Sequence, residues 1–455
     1  MRKILVTGML SVSALSAFCQ QDSLLKKFKY RINNYKDIGL SIGGGSQFYQ
    51  TKPVAGTNKN SSAFGNFGGS YYTLKSTDKI LLTTSASFSA SFSRGKSDYQ
   101  QGVSTSRSFS ITPYFTALNK WFGKNIFTEL GATISGNYGT NKNVTSTAPD
   151  IGKNKQAQYS IAINTGIGKG RLENVTDMQN ALWLYKELQS VKSITTNLSA
   201  DELNELGMAI TKGNNTRVLD ARKRTQFLLG TVDNYLQQKG LINKTDITYF
   251  SSLNDILFFA FNNPRLAGTE KFIRFTPAIT GWNNDQSQTN PDNKFEYRFS
   301  TQSATVSAGF GKYIPANIVH QNNYGASVKL YFIATDLTNR SFNNGVVTNE
   351  SKGKTDIKQA GVNLFYQHAI YPNTRTTISI GLQSEMGYQE ADTQKGFYGS
   401  ANLSGNVNYF ISYRTRLTCK AGASYQKNNY AIYQDVTLLP NTIQLYANAG
   451  VEINL

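Results

Sequence analysis

Residues 80–93 read ILLTTSASFSASFS, and this stretch decides the fold. Side chains alternate between the two faces of a strand, so Leu82, Ala86, Phe88, Ala90 and Phe92 share one face. The other face carries only hydroxyl side chains, namely Thr83, Ser85, Ser87, Ser89, Ser91 and Ser93. Strands of soluble sandwiches usually run about 5 or 6 residues, whereas a tilted strand that crosses a bilayer needs about 9–11. The length of this two-faced stretch predicts a membrane-spanning strand.

The start of the chain has the pattern of a secretory signal peptide. Arg2 and Lys3 precede an apolar run, and Ala17 and Cys19 provide the small residues that flank a cleavage site. We therefore expect residues 1–19 to be removed. Lipid attachment at Cys19 is the alternative, but a small residue normally precedes a lipidated cysteine, and Phe18 stands there.

The composition favours strands rather than helices as the membrane-crossing elements. After residue 19, no apolar run in the sequence reaches the length of about 20 residues that a membrane helix needs. The mean hydropathy is only -0.38, as expected when every second strand residue meets lipid. Signal-peptide cleavage would leave Cys419 as the one cysteine, which excludes an intramolecular disulfide.

The same alternation recurs along the chain and predicts an all-β transmembrane barrel of about 14 antiparallel strands, an even number as in bacterial barrels. Six strands are predicted at residues 38–49, 62–74, 80–93, 106–117, 126–138 and 159–168. Eight more are predicted at residues 272–282, 295–310, 324–337, 357–371, 374–389, 397–412, 415–426 and 443–455. The apolar parity changes between Phe299 and Val306, which predicts a bulge near Thr301.

Between strands 6 and 7 the pattern becomes helical. The apolar period changes to about 3.6 residues, and helices are predicted at residues 176–191, 200–212, 217–239 and 252–261. Capping boxes at Thr176–Gln179 and Ser199–Glu202 mark two helix starts, and Gly213 and Gly240 mark two helix ends. The segment is too long for a plain loop, so the sequence predicts an α-helical insertion.

These patterns divide the chain into a signal peptide (1–19), a periplasmic lead-in (20–36), barrel strands 1–6 (37–168), the helical insertion (169–268) and barrel strands 7–14 (269–455). We expect the lead-in to form a helical turn or two and to be mobile. The connections at residues 75–79, 372–373 and 413–414 are tight, and short turns of outer-membrane barrels face the periplasm. The insertion should therefore hang into the periplasm or fold up into the barrel mouth.

The alternating strands give the chain a resemblance to Gram-negative outer-membrane β-barrel proteins, which covers residues 38–455 except the insertion. The last strand resembles the carboxy-terminal assembly signal of that class, with apolar residues at every second position from Leu445 to Leu455. It departs from the signal at Leu455, where an aromatic residue is usual. The junction Gly168-Lys-Gly-Arg171 with a helical insertion resembles barrels of Bacteroidota-type bacteria. The resemblance implies an outer-membrane location.

The two histidines are predicted to lie away from the positions that an outer-membrane surface enzyme would need. The chain has two histidines; His320 follows predicted strand 8, and His368 lies near the periplasmic end of strand 10, beside an aromatic residue. Neither lies where the outer leaflet would offer a substrate. Metal-ligand spacing and a phosphate-binding loop are also missing from the sequence, so we expect no catalytic residue, no cofactor and no metal.

Charged residues on the strand faces opposite the apolar residues are the candidates for the barrel lumen. They are Glu129, Lys329, Glu385, Arg416, Lys420 and Glu452, with Glu296 and Arg298 beside them. One interpretation is a selectivity lining for a polar solute. The other is a salt-bridged network that fills the interior. Arg416 and Glu452 fall near the ends of neighbouring strands and are expected to pair.

The formal net charge of +19 raises the question of which anionic partners the protein meets. Nucleic acid is excluded for an exported barrel without a basic aromatic groove. Basic residues at the outer rim, such as Arg94, Lys96 and Arg107, are expected to meet outer-membrane lipid and the phosphates of lipopolysaccharide.

The longest predicted helix carries a second basic group. Arg222, Lys223 and Arg224 lie among apolar residues at helical spacing. These apolar residues predict the core of a small bundle. The basic triplet is then its exposed face, or a docking face for a periplasmic protein.

Three functions remain after these exclusions. The first is a channel or transporter for a polar or anionic solute, with the insertion as a periplasmic plug or gate. The second is a non-conducting barrel scaffold whose helical domain docks a periplasmic, secretion or envelope partner. The third is a surface enzyme, which the placement of the histidines argues against.

Overall fold

The computed structural model describes residues 24–51, 58–99, 102–146, 150–216, 221–259, 265–289, 292–391, 394–412, 415–428 and 441–453. The predicted signal peptide, the turn at residues 413–414 and Leu455 lie outside these ranges.

The strands form one antiparallel sheet in which each strand pairs with its sequence neighbours. The predicted strand number of 14 is confirmed. The strands are β1 (Ile32–Thr51), β2 (Asn58–Ser76), β3 (Ile80–Tyr99), β4 (Gly102–Phe122), β5 (Phe127–Thr145), β6 (Asp150–Asn174), β7 (Leu266–Thr289), β8 (Asp292–Pro315), β9 (His320–Asn343), β10 (Val346–Asn373), β11 (Thr376–Ala391), β12 (Gln394–Ser412), β13 (Thr415–Asn428) and β14 (Asn441–Ile453).

The sheet has an apolar face and a polar face, as the alternation in the sequence predicts. Ile161 of β6 lies opposite Ile279 of β7, and both side chains are nearly half exposed. The next pair, Ser160 and Thr280, lies on the other face, where the two hydroxyl groups share a hydrogen bond of 3.2 Å. We call the apolar face outer and the hydroxyl-bearing face inner.

Four helices connect β6 to β7, at the position predicted for the insertion. They are α1 (Thr176–Ser190), α2 (Ala200–Asn214), α3 (Ala221–Gln238) and α4 (Ile247–Phe259). Their apolar faces form one hydrophobic core that includes the fully buried Leu182, Leu206 and Tyr249. The fold class predicted from the sequence, a barrel-type all-β sheet with a helical insertion between strands 6 and 7, is therefore confirmed.

The helix ends differ in part from the sequence prediction. Ser199 and Glu202 form the predicted capping box at the start of α2. The box predicted at Thr176–Gln179 is wrong, because Val175 is the N-cap and has no side-chain capping bond. Helix α2 continues through Gly213, so that predicted end is also wrong. Gly240 follows α3 with a φ of +63°, the left-handed conformation in which glycine ends a helix.

The described part of the lead-in, from residue 24 onward, packs against the helices, which differs from the predicted mobile segment. Residues 24–27 form one helical turn, and Leu25 and Phe28 are buried in the hydrophobic core of α1–α4. Burial of these two side chains stabilises the segment by about 1.5–3 kcal/mol each. Strand β6 ends at Asn174 and strand β7 begins at Leu266. The helical segment between them is therefore shorter than the predicted insertion at residues 169–268. We call residues 24–31 together with residues 175–265 the helical cap.

The sheet is rolled around the helical cap. Arg31 of the cap donates from Nε to Oδ1 of Asp78 in the β2–β3 turn over 2.9 Å. At the other side, the ring of Phe259 at the end of α4 packs on Phe410 of β12, with ring centroids 5.9 Å apart. Because strands near both ends of the strand order contact one compact domain, the sheet curls back around that domain.

Within the described part of the chain, no helix has both the length and the apolar character that a membrane-spanning helix needs.

Candidate functional site

A buried arginine attaches the helical cap to the strand ends. Arg265 is fully buried; its Nε donates to Oε1 of Gln321 over 2.7 Å, and its Nη1 donates to the carbonyl of Ile318 over 2.8 Å. Gln179 of α1 donates to the same carbonyl over 3.0 Å. Ile318 itself belongs to the hydrophobic core of the cap. The β8–β9 turn is thus part of the cap's own packing.

A second attachment lies at the end of α4. Asp255 forms an ion pair with Arg375 in the β10–β11 turn, and the guanidinium of Arg375 lies 4.5 Å from the centroid of the Phe259 ring. Both charged side chains are more than a third exposed, so this ion pair is weak compared with a buried one. This edge of the cap is therefore held less firmly than the edge at Arg265.

The junction between α1 and strands β10–β12 is nearly filled. A cavity of about 30 Å³ remains there, lined among others by Trp183, Tyr371 and Phe410. This space corresponds to one or two water molecules. The cap therefore seals tightly against this part of the strand ends.

Directly beyond the cap, the inner face carries a buried four-residue ionic cluster. Lys120 of β4 lies 2.7 Å from Glu270 and 3.4 Å from Glu129. Arg274 of β7 bonds both carboxylates, at 2.8 Å from Oε1 of Glu270. Two cations and two anions cancel in charge. For Glu129, the structure favours the interior-filling interpretation over a selectivity lining, because its partners satisfy it.

The other predicted lumen charges on the inner face are separate from this cluster. Glu385 accepts a long bond of 3.4 Å from the hydroxyl of Tyr398. Arg416 forms an ion pair with Glu452, its register partner on β14. Lys329 is half-buried and Lys420 is exposed. The structure does not bring these residues together into one site.

Two of the predicted lumen charges lie on the wrong face. The registers of β8 with β7 and with β9 run without a shift through Thr301, so the predicted bulge is absent from these paired segments. With unbroken alternation, Glu296 and Arg298 share the outer face with Val306. They form an ion pair there at 3.5 Å. The apparent change of parity arises because Phe295, Tyr297 and Phe299 are inward-facing aromatic residues.

The two histidines stack on each other on the outer face. Their ring centroids are 5.5 Å apart, and Nδ1 of His368 lies 2.8 Å from Oδ1 of Asn322. The contacts described for the two rings include no nucleophilic side chain. The expectation that neither histidine is catalytic stays a prediction.

The predicted docking face lies on α3, the longest of the four helices described. Lys223 and Arg224 are exposed, whereas Leu228, Val232 and Leu236 of the same helix are buried in the cap core. The side chain of Arg222 is outside the described part of the structure. Exposed basic side chains next to a buried apolar face fit either interpretation given above, so the docking role stays a prediction.

The sheet end away from the helical cap has an inner face that sequence reasoning missed. On β5–β9 this face is rich in carboxamide side chains, and we call it the amide wall. Its amides are Asn137, Asn141, Asn143, Asn154, Gln156, Gln158, Asn284, Gln286, Gln288, Asn293, Asn339 and Asn343. The signal was present in the sequence, since Asn or Gln recurs at every second position, as in NKQAQ at residues 154–158.

The amide wall borders an open cavity of about 730 Å³. Next to it, the rings of Trp282 and Tyr297 lie with centroids 4.8 Å apart. Nε1 of Trp282 and Oδ1 of Asn154, Asn284 and Asn339 are buried and have no hydrogen-bond partner in the described structure. Buried polar atoms are normally paired, so these four atoms are exceptions in this part of the described structure.

The outer face at the same end carries a row of cations, which we call the basic row. Arg94, Arg107, Lys142 and Lys153 are successive register partners on β3, β4, β5 and β6. All four are exposed. Like charges directly opposite each other destabilise a sheet. The row lies one outward position beyond Phe92 and Phe109, at the rim of the apolar band.

Comparison with known proteins finds only distant structural neighbours. No family model matches the sequence, and no curated protein sequence matches it. The chain is similar to the translocator domain of the autotransporter NalP from Neisseria meningitidis, with 8% identity over 99% of this chain and 98% of that chain and a TM-score of 0.24. It is also similar to the Ralstonia pickettii toluene transporter TbuX, with 8% identity, coverage of 95% and 94%, and a TM-score of 0.28. The ferric yersiniabactin uptake receptor FyuA from Yersinia pestis matches at 7% identity over 88% of this chain and 55% of that chain, with a TM-score of 0.35.

These neighbours are outer-membrane β-barrel proteins, the class that the sequence resembles. The identities and TM-scores are too low for any of their activities to be transferred.

Proposed function

We propose that this protein is an outer-membrane channel for a polar solute, with the helical cap as a plug at the periplasmic end of the barrel. The observation that carries the proposal is the position of the cap. It contacts the β2–β3, β8–β9 and β10–β11 turns as well as β12, and so spans one end of the rolled sheet. A polar inner face that leads to a covered end is the arrangement of a plugged pore.

The outer face supports a membrane location. Apolar side chains alternate along the strands, and β14 presents Ile443, Leu445 and Val451 over a length that suits a bilayer crossing of about 9–11 residues. Apart from the insertion, the longest connections between strands, residues 52–57 and 429–440, follow β1 and β13 at the end away from the cap, and long loops face outward in this class. The amide wall and the basic row then face outward.

We further propose that the basic row binds phosphate groups of lipopolysaccharide in the outer leaflet. Four adjacent cations at the rim of the apolar band need a counter-charge, and no salt bridge with an acidic side chain is described for any of them in the described ranges. Lipid phosphates lie at this depth, and each neutralises nearby basic residues.

The less firmly held edge of the cap is where the plug would open. Replacing Arg375 by Ala removes the ion pair to Asp255 and the contact with Phe259. In proteoliposomes, we expect the R375A protein to admit small polar solutes several times faster than the unchanged protein, measured by osmotic swelling. Arg298→Ala, on the outer face and away from the cap, is the matched control and should leave the rate unchanged. Equal, negligible rates in all three proteins would contradict the channel.

The scaffold is the second candidate, and exposed apolar residues on the cap favour it. Ile247 is 87% exposed and Phe250 is 45% exposed, both on α4. Such side chains mark protein contacts when they form a patch. If a periplasmic protein cross-links to the cap in intact membranes and is lost in an Ile247→Ser, Phe250→Ser variant, the scaffold would replace the channel.

A further inference from the structure

We infer that the amide wall binds a neutral polyhydroxylated solute, an oligosaccharide in chemical class. The inference rests on the proposed channel function for the route of the solute, but the binding site itself is defined by the side chains of β5–β9. The relevant surface consists of the inward positions of four successive cross-strand rows at the end away from the helical cap.

The charge of this surface selects the ligand class. The inward positions of these four rows hold amides, aromatic rings, two glycines, a leucine and a serine, and among these described positions there is no Asp, Glu, Lys or Arg. The inward charges described elsewhere, such as the ionic cluster, Lys329 and Glu385, lie outside these four rows. Lys153 and Lys294 of the outer face also border the cavity beside the wall. A wall without charge gives no attraction to an anion or a cation. The expected solute is therefore neutral.

The hydrogen-bonding groups of the wall indicate the chemical class of the neutral solute. A carboxamide offers two donors and an acceptor within one group, and a sugar hydroxyl is likewise both donor and acceptor. Each Asn or Gln can thus pair with a hydroxyl in either direction. The exposed amides of Gln158 and Gln286 lie on the neighbouring strands β6 and β7 at inward positions. They would accept bonds from hydroxyl groups of the solute.

The aromatic pair supplies the complementary apolar contact. Trp282 and Tyr297 lie on adjacent strands with an interplanar angle of 59°. Their rings offer flat apolar surface beside the amides, and Nε1 of Trp282 is buried without a partner in the described structure. A ring face beside polar donors matches a pyranose, whose C–H groups line one side and whose hydroxyls line the edge.

A peptide is the competing class. An extended peptide would also bond to amides, but its side chains include charges and large apolar groups that this uniform wall does not complement. The repeat of amides at every second residue of β6 and β7 suits a polymer of identical hydroxyl-bearing units better.

The test is binding to the full-length protein in detergent, which does not depend on conductance. Maltohexaose, cellohexaose, chitohexaose and mannohexaose are titrated by calorimetry, with hexagalacturonate as the anionic counterpart and an acetylated, amidated Gly-Ser dodecapeptide as the peptide. We expect at least one neutral hexasaccharide to bind, and to bind at least ten-fold more tightly than hexagalacturonate and the peptide. Binding of none of the neutral sugars at millimolar concentration, or tighter binding of the anion or the peptide, would overturn the inference.

Two variants locate the binding. Asn284→Leu removes an inward amide, and its matched control Asn283→Leu changes the next residue, which is exposed on the outer face. We expect N284L to weaken binding at least ten-fold and N283L to change it less than two-fold. Trp282→Phe is a second variant, which keeps the test possible if N284L fails to fold. It keeps an aromatic ring but removes the N–H donor, and we expect it to weaken binding as well. Equal affinities in N284L, W282F and N283L would place the ligand elsewhere and refute the site.

The outcomes separate this inference from the proposed function. A protein that conducts but binds no neutral sugar is a channel with a different solute. A protein that binds neutral sugars through Asn284 but never conducts, with or without the cap, has the site without the channel.

Discussion

Nε of Arg265 donates to Oε1 of Gln321 over 2.7 Å, and this bond joins the last residue of the helical cap to the second residue of β9. The guanidinium also bonds the carbonyls of Asn317, Ile318 and His320. One side chain therefore closes the whole β8–β9 turn against the cap.

Replacing Arg265 by Met should release the cap. The change leaves three carbonyls and an amide without their buried donor, and each lost hydrogen bond to a charged donor costs about 1.5–3 kcal/mol. The measurement is urea unfolding followed by the fluorescence of Trp183 in a Trp121→Phe, Trp282→Phe background. Arg298→Met, which changes an exposed arginine on the outer face, is the control. An unchanged midpoint for R265M would contradict the anchoring role.

The cap should be less stable at neutral pH than in mild acid. Burial raises the pKa of Asp177 from 3.8 to about 6, against the opposing effect of hydrogen bonds from Thr211 and Asn214. Because the folded form holds this proton more tightly than the unfolded form, stability is highest below pH of about 4 and falls until about pH 6. The total change is about 3 kcal/mol.

Asp177→Asn tests this pH dependence. The variant has no titrating group at this position. The free energy of unfolding of its cap should therefore stay constant between about pH 4 and about pH 6. The Trp183 unfolding assay, repeated at intervals across the range, provides the comparison. A decline of the same size in the variant would assign the pH dependence to another group.

The ionic cluster on the inner face should be cooperative. Lys120→Met leaves Glu129 and Glu270 competing for Arg274 in a buried setting, which we expect to cost about 3–5 kcal/mol. Adding Glu270→Gln removes one of the two carboxylates and should recover a large part of the loss. Barrel unfolding by heat, followed as the shift in gel mobility, ranks the three proteins. Additive losses in the double variant would mean that the four residues do not act as one network.

The basic row should make lipopolysaccharide binding depend on phosphate. Arg107→Gln with Lys142→Gln removes the two middle cations of the row. We expect the double variant to retain less lipid A in native mass spectrometry, with little difference between the proteins for dephosphorylated lipid A. Lys352→Gln and Lys354→Gln, which change exposed cations of β10, form the control. Equal retention of lipid A by all proteins would contradict the proposed lipid site.

Much of the fold could be predicted because one alternating pattern repeats in every strand. The stretch from Ile80 to Ser93 already carries the two faces that the whole sheet shows. Helix boundaries and the inward direction of the aromatic residues of β8 were harder to predict, because they depend on tertiary contacts. Gln179 bonds the β8–β9 turn instead of capping its own helix, and Phe295 faces inward although it is apolar.

The site was less predictable than the fold for a physical reason. Charged residues stand out in a sequence, so Glu129 and Glu296 were both expected in the lumen, yet their faces depend on registers that only the structure gives. Neutral amides such as Asn284 look like ordinary loop residues in the sequence. Their significance appears when several strands are placed side by side.

The central claim is that the helical cap closes a pore, and single-channel conductance in a planar bilayer tests it most directly. The full-length protein is compared with a variant in which residues 176–263 are replaced by a short Gly-Ser linker, after the gel-mobility shift has shown that its barrel folds. We predict rare, small openings for the full-length protein and steady, large currents for the variant. The absence of current through a correctly folded variant would contradict the account, and equal large currents through both proteins would show that the cap is not a plug.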